Sequence, residues 1–198
     1  MKKIILLVTM LTFLLVAHAQ EVDSIANYHM EFKGVPIDGT LSSFIQKLQS
    51  KGFKKLQDDI DDDIKIMEGN FAGEQSTLYI LASPKSKTVW KVLVQYPKEN
   101  SWSSLKYKYK DIKNLYIKKY GEPKDHFEFF SKPYYEGDGY ELQALKNDKC
   151  TYATYFKLKE GYISVAISSP GCIEISYEDS LNNALKNKEK DSDILNDI

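Results

Sequence analysis

The chain of 198 residues lacks the short motifs that mark common catalytic and cofactor sites. It has no G-x-S-x-G nucleophile elbow, no H-E-x-x-H zinc motif, no G-x-x-x-x-G-K phosphate loop and no G-x-G-x-x-G dinucleotide loop. We therefore expect no cofactor and favour a protein that is not an enzyme. The sequence leaves paired carboxylates for glycoside hydrolysis open, because their separation depends on the fold.

The net charge is small, and residues that could bind a metal are few. The formal net charge is −1, and loss of Lys2 and Lys3 with a leader would make the chain more acidic, whereas nucleic-acid-binding proteins are normally basic. Beyond residue 19 the only histidines are His29 and His126, and neither lies at a metal-ligand spacing from a cysteine. We expect neither a nucleic-acid partner nor a metal site.

One long apolar run is present, residues 4–16, and it follows the two lysines at positions 2 and 3. Together with the small-x-small sequence at 17–19, this order predicts a signal peptide, residues 1–19, cleaved after Ala19 to give a periplasmic or secreted protein. The alternative is a retained membrane anchor, but an anchor needs about 20 apolar residues. No other run could span a bilayer, so we expect no membrane insertion after cleavage.

Cysteine is rare, since the chain has two, Cys150 and Cys172. An even number in an exported protein predicts a structural disulfide. The two flank a predicted hairpin, and pairing of Lys159 with Ile163 across its turn would place the cysteines opposite each other at the open end. The bridge could instead join the first and third strands of a three-stranded meander.

Aromatic residues are plentiful, with 14 Tyr, 9 Phe and 2 Trp, and many fall at helical spacing. The pattern predicts a first helix from the N-cap Thr40 to Gly52 and a second, capped by Asn100 or Ser101, that ends at Gly121. The apolar face of the first consists of Leu41, Phe44, Ile45 and Leu48. The buried stripe of the second consists of Trp102, Leu105, Tyr109, Ile112, Tyr116 and Tyr120. A weaker helix is predicted near 180–188.

The remaining segments read as strands separated by short turns. The predicted strands are 27–34, 53–56, 64–68, 76–83, 89–96, 126–131, 140–146, 151–158, 162–168 and 172–177. We therefore predict an α+β fold, in which antiparallel strands carry helices on one face and two helix-plus-strands units follow in tandem. The predicted organisation is one compact domain over 20–188, with halves of about 28–96 and 97–178, and a flexible tail over 189–198.

This layout resembles the β-lactamase-inhibitor-protein and BamE-type architecture of small exported bacterial proteins. The stretches "FKGVPIDGTLSSFIQKLQSKGF" and "LYIKKYGEP" are also similar to uncharacterised exported proteins of Gram-negative anaerobes. The resemblance covers most of the chain beyond the signal peptide. It implies a module that binds other proteins, and it transfers no individual functional residue.

Two charged segments have competing interpretations. The run "DDIDDD" at 58–63 has the alternating aspartates that open a calcium-binding loop, but Ile64 stands where a glycine is needed and Asn70 where a glutamate is needed. A solvated loop is the better interpretation. The lysines of the second helix scatter around its circumference outside the apolar stripe, which indicates a solvated amphipathic helix and not a nucleic-acid surface.

The aromatic stretch "HFEFFSKPYYEGDGY" at 126–140 is the strongest candidate for a ligand site. The candidate ligand-binding residues are Tyr134, Tyr135, Tyr140, His126 and Glu128. Exposed aromatic rings suit a partner protein or the flat faces of sugars, whereas in a strand the same residues line the core. The sequence therefore predicts an exported, non-enzymatic binding protein whose ligand is another protein. The alternative is a protein that binds or processes glycans through this stretch.

Overall fold

The computed structural model describes residues 28–56, 61–169 and 171–197, so the predicted signal peptide lies outside the described residues. Within these ranges the chain forms ten strands and four helices. The helices are α1 Leu41–Gln49, α2 Trp102–Tyr120, α3 Glu141–Lys146 and α4 Ser180–Asp197. The strands are β1 Glu31–Phe32, β2 Val35–Pro36, β3 Lys54–Lys55, β4 Ile64–Phe71, β5 Glu74–Ala82, β6 Val89–Gln95, β7 Asp125–Phe130, β8 Cys150–Lys157, β9 Gly161–Ser168 and β10 Cys172–Asp179.

Eight strands form one antiparallel sheet in the order β3-β4-β5-β6-β10-β9-β8-β7, and β1 pairs with β2 in a separate hairpin. Each half of the chain consists of a helix followed by four strands that form one half of the large sheet. The first half contains α1 and β3 to β6, and the second contains α2 and β7 to β10. The halves meet where Ile175 of β10 lies opposite Val94 of β6. This confirms the predicted α+β fold and its tandem units, whose strand orders run outward in opposite directions from the antiparallel pairing of β6 with β10.

The two longer predicted helices begin and end where the sequence indicated. Thr40 and Ser101 each accept a hydrogen bond from the backbone N–H three residues later, at 3.3 and 3.1 Å. This satisfies a donor that the first turn of a helix leaves unpaired. Gly52 and Gly121 have φ values of +94° and +83°, in the left-handed region that glycine enters without a steric penalty.

One face of the sheet carries α1, α2 and most of the core. The rings of Tyr152 and Phe156 are buried under α2, and the Tyr109 hydroxyl lies 2.6 Å from Thr154 Oγ1. The β1–β2 hairpin packs beside α2, with Phe32 stacked on Phe71. The aromatic stripe predicted for the second helix is therefore core, as expected. No helix within the described residues is long and apolar enough to cross a membrane.

The segment predicted as a strand over 140–146 is helix α3. Tyr140, Leu142 and Ala144 alternate as in a strand, but Leu142 and Leu145 are also spaced as on a helix face. In helix α3 the buried residues are Ala144 and Leu145. Short apolar segments of this kind satisfy both periods, so tertiary packing decides between them.

The two cysteines are free thiols, and the predicted disulfide is not formed. Lys157 pairs with Tyr162 and Leu158 N donates to Gly161 O at 2.8 Å, so the β8–β9 turn has two residues, 159 and 160, where the predicted pairing of Lys159 with Ile163 required three. Strand β9 separates Cys150 in β8 from Cys172 in β10. Two strand spacings amount to roughly 9.5 Å, beyond the reach of a disulfide.

The C-terminal helix α4 continues to Asp197, through the segment that the sequence predicted as a flexible tail. The buried Asp179 carboxylate caps its first turn by accepting from Asn182 N at 2.8 Å, and it accepts from Met30 N at 2.7 Å. The Asn182 side chain donates to the carbonyls of Ile37 and Val89 at 2.9 and 3.0 Å. These bonds join the N-terminal segment, β6 and α4.

Candidate functional site

The sheet presents a group of half-exposed aromatic rings on the face opposite α1 and α2. We define the open aromatic patch as Phe127, Phe129, Tyr155 and Tyr162, whose exposed fractions are 46%, 48%, 41% and 41%. The strand register places these four residues on one face of β7, β8 and β9. Large apolar side chains that share an exposed face are the usual mark of an interaction surface.

The patch is contiguous because its members are diagonal neighbours across adjacent strands. Phe127 pairs with Ala153, and its ring lies edge-on to Tyr155 with ring centroids 6.1 Å apart. Tyr155 pairs with Ser164, which brings Tyr162 into the next diagonal position. Small residues therefore separate the rings and leave their faces accessible.

The predicted stretch 126–140 is divided between different environments. His126 and Glu128 share the helix-bearing face of β7, away from the patch, and the Glu128 carboxylate pairs with Lys113 of α2. Tyr134 is partly buried against the core, and its hydroxyl accepts from Asn147 Nδ2 at 2.8 Å. The structure therefore places His126 and Glu128 on one face of β7 and does not join them to the tyrosines.

Tyr135 and Tyr140 are the most exposed rings of the stretch, at 65% and 64%. The Asp138 carboxylate holds both of their backbones, accepting from Tyr135 N at 3.0 Å and Tyr140 N at 2.7 Å. Glu136 fastens the loop to α2 through Lys106, whose ammonium holds the pKa of the Glu136 carboxyl below its ordinary value. The loop thus displays two rings from a fixed backbone.

A cleft of about 600 Å³ lies between the C-terminal half of α2 and the β1–β2 hairpin. Its lining includes Met30, Phe71, Leu115, Tyr116, Tyr120 and Tyr177. The Tyr116 and Tyr177 hydroxyls are hydrogen-bonded to each other, and burial raises the pKa of both, so the phenols stay protonated at neutral pH. The cleft offers apolar walls and hydroxyl groups, and its lining also includes the polar side chains His29, Lys33, Lys119 and Glu160.

Metal ligands do not converge anywhere in residues 28–56, 61–169 and 171–197, where no group of three His, Cys, Asp or Glu side chains could hold an ion. The acidic run lies partly outside the described residues. Of its described members, Asp63 binds Lys87 Nζ at 2.7 Å. Asp61 Oδ1 accepts from the Asp63 backbone N–H at 3.3 Å. These two carboxylates therefore have partners from the protein itself.

Phe127 and Phe129 lie in the candidate stretch 126–140 but were not among the candidate ligand-binding residues, and Tyr155 and Tyr162 lie outside the stretch altogether. Both tyrosines lie in strands that the sequence indicated, but in β8 the alternation is ambiguous because Tyr152 and Phe156 are aromatic as well. The signal that distinguishes the faces is the small residue Ala153, which shares the face of Tyr155. No protein-family model, no curated protein and no solved structure matches this chain.

Proposed function

We propose that the protein is exported and acts as a non-enzymatic binding protein whose ligand is another protein, held on the open aromatic patch. The single observation that carries the proposal is the four half-exposed rings on a face that α1 and α2 leave uncovered. A pleated sheet holds these rings in place before binding, so little conformational entropy is lost when a partner docks.

The composition of the chain supports aromatic residues as the anchors. Binding hot spots in protein interfaces are enriched in Trp, Tyr and Arg. The sequence contains no arginine, so all of its basic side chains apart from histidine are lysines, which interfaces generally disfavour. The accessible tyrosines and phenylalanines of the patch are therefore the side chains best suited to bind a partner.

The charges beside the patch indicate the chemistry of the partner. On the patch's face Asp125 lies opposite Tyr155, Lys157 lies opposite Tyr162, and Glu178 on the other side of Tyr162 is paired with Lys91. A nearly neutral border favours a partner surface that is apolar at its centre, and it disfavours nucleic acid or a strongly charged ligand. Affinity should therefore change little with ionic strength.

Export rests on the sequence of residues 1–19, in which lysines, an apolar run and a small-x-small site follow one another. Mass spectrometry of the protein from cell envelope and culture fluid tests this step. We expect a mature chain that begins at Gln20. A chain that retains Met1 in both fractions would contradict it.

The partner experiment compares two tyrosine pairs. The wild-type protein and a Tyr155→Ala, Tyr162→Ala variant are used to capture proteins from solubilised envelope and culture fluid, and the captured partner is then purified and titrated. Loss of one hot-spot ring, at about 2 kcal/mol, weakens binding about thirtyfold, so loss of both should weaken it by roughly 700-fold. The matched control is Tyr107→Ala, which removes an exposed ring from α2 on the other face.

Equal affinity of the patch variant and the wild type for the purified partner would contradict the proposal. The alternative ligand is a glycan held by Tyr135 and Tyr140, whose exposed rings stand on a backbone fixed by Asp138. Saturable binding to a glycan array that is lost in a Tyr135→Ala, Tyr140→Ala variant, and kept in the patch variant, would favour this alternative.

A further inference from the structure

The two edges of the large sheet differ in how they are protected. The β3 edge is two residues long and consists of Lys54 and Lys55, and short, lysine-rich edge strands resist pairing with another chain. The β7 edge is six residues long, contains no lysine or proline, and is exposed over Asp125–Phe129. Such an edge is a template for strand addition.

The backbone groups of β7 alternate between β8 and the open side. Ser131 N donates to Lys149 O at 2.7 Å, and this pair sets which residues of β7 bond to β8. In an antiparallel strand every second residue bonds to the same neighbour, so Phe127, four residues before Ser131, also bonds to β8. His126 and Glu128 therefore direct their N–H and C=O groups outward. Among the described residues these outward groups have no hydrogen-bonded partner in the protein.

We propose that two copies of this protein pair antiparallel through β7, about a two-fold axis that passes beside Phe127, to give one continuous sheet of sixteen strands. In this register His126 lies opposite Glu128 of the partner subunit, and each of these pairs exchanges two backbone hydrogen bonds. The two Phe127 residues face each other at the non-hydrogen-bonded position on the axis.

Charge selects this register over its neighbour. Any symmetric antiparallel pairing keeps side chains on matching faces, but an axis beside Phe127 or beside Glu128 pairs the most residues of β7, five of its six. An axis at Glu128 would place two carboxylates directly opposite each other, which is unfavourable. The axis at Phe127 instead places a histidine opposite each glutamate and two half-exposed rings against each other.

The dimer would present both open aromatic patches on one face, because a two-fold axis perpendicular to the sheet preserves its faces. Tyr155 and Tyr162 lie on β8 and β9, away from the edge, so they remain available to a partner. The pairing therefore does not depend on the proposed function, and substitutions in β8 and β9 separate the two.

The register is tested by disulfide trapping with single cysteines. Phe127→Cys should give a disulfide-linked dimer under mild oxidation, since residues opposite at a non-hydrogen-bonded position have Cα atoms about 4.5 Å apart. Asp125→Cys and Phe129→Cys lie on the same face of the same strand. In the proposed register each lies roughly 13 Å from its own counterpart, and neither should link to itself. The wild type, with Cys150 and Cys172 buried, is the background control.

The second test removes the outward donor. His126→Pro deletes an N–H that points away from β8, and sedimentation equilibrium should show a monomer, whereas His126→Ala, which keeps the N–H, should stay dimeric. Far-UV circular dichroism checks that both variants are folded. A wild type that is monomeric at all concentrations, or linkage at 125 and 129 as efficient as at 127, would overturn the proposal.

Discussion

At the residue scale, Gly161 allows β9 to approach β10 closely. A Cβ atom on this residue would lie 1.9 Å from the Glu178 carbonyl oxygen, which belongs to the backbone and cannot move without displacing the strand. We expect Gly161→Ala to lower the free energy of unfolding by about 3 kcal/mol, as overpacking does in cores, when measured by urea denaturation.

The matched variant is Gly69→Ala in β4. There the added Cβ would lie 2.5 Å from Cδ1 of Phe53, an atom of a side chain and not of the backbone, so the loss should be smaller. If Gly161→Ala is no more destabilising than Gly69→Ala, the strand contact is not the constraint that the geometry indicates.

The cysteines give a second prediction at this scale. Burial raises the pKa of the Cys150 thiol to about 12 and that of Cys172 above its ordinary value, and the thiolate is the reactive form. Both thiols should therefore react slowly with a disulfide reagent in the native protein and fully after denaturation without reductant. Absence of free thiol in the denatured, non-reduced protein would show that a disulfide forms.

At the element scale, the sequence predicted helices better than strand pairing. Capping residues and apolar periodicity placed α1 and α2, because these signals are local. The β8–β9 register depends on the turn, where Leu158 N donates to Gly161 O at 2.8 Å. Several turn lengths are compatible with the same sequence. The predicted register was wrong by an odd number of residues, which reverses the face of every side chain it aligns. Cys150 and Cys172 consequently lie on opposite faces.

The same limitation explains why the candidate site was only partly predicted. The glycines of the loop, Gly137 and Gly139, were visible in the sequence, but the sequence left open whether the rings of Tyr135 and Tyr140 are exposed, as they are. The open aromatic patch was not visible, because Tyr155 and Tyr162 join Phe127 only through pairing between distant segments. Their exposure also depends on which face α1 and α2 cover.

The packing of α2 leads to a prediction about alkaline pH. Burial raises the pKa of Tyr109 to about 12, whereas a phenol in an unfolded chain titrates near pH 10. The folded state holds this proton more tightly, so its contribution to stability is complete below about pH 10 and is lost as the pH rises through about 12.

Tyr109→Phe should remove part of this alkaline loss of stability, measured by urea unfolding at neutral and alkaline pH. At neutral pH it should cost about 1 kcal/mol, because Thr154 loses its hydrogen-bond partner. Tyr107→Phe, on the exposed side of the same helix, should change neither the free energy of unfolding at neutral pH nor its loss at alkaline pH. An alkaline slope that Tyr109→Phe leaves unchanged would assign the titration to other groups.

At the scale of the whole molecule, the two halves are alike in architecture and differ at their outer edges. The first half ends in the short lysine strand β3, and the second ends in the exposed strand β7 beside the open aromatic patch. The second half also carries α3 and the loop with Tyr135 and Tyr140. Candidate binding features thus collect in one half, while the central strands join it to the other.

This junction should make the halves unfold together. Val94 of β6 and Ile175 of β10 are fully buried neighbours across it, so opening either half would expose the core of the other. The chain has two tryptophans, Trp90 in the first half and Trp102 in the second, and the single-tryptophan variants Trp102→Phe and Trp90→Phe report on each half separately. In each variant we expect the fluorescence and far-UV circular dichroism transitions in urea to coincide.

Val94→Ala extends the test across the junction. The substitution should lower the free energy of unfolding by about 2 kcal/mol, through the lost burial and the cavity that it leaves. If the sheet unfolds as one unit, the fluorescence midpoint of Trp102 in the second half shifts by as much as that of Trp90, although Val94 belongs to the first half. A shift confined to Trp90, or a fluorescence transition that precedes the loss of secondary structure, would instead show two separately unfolding halves.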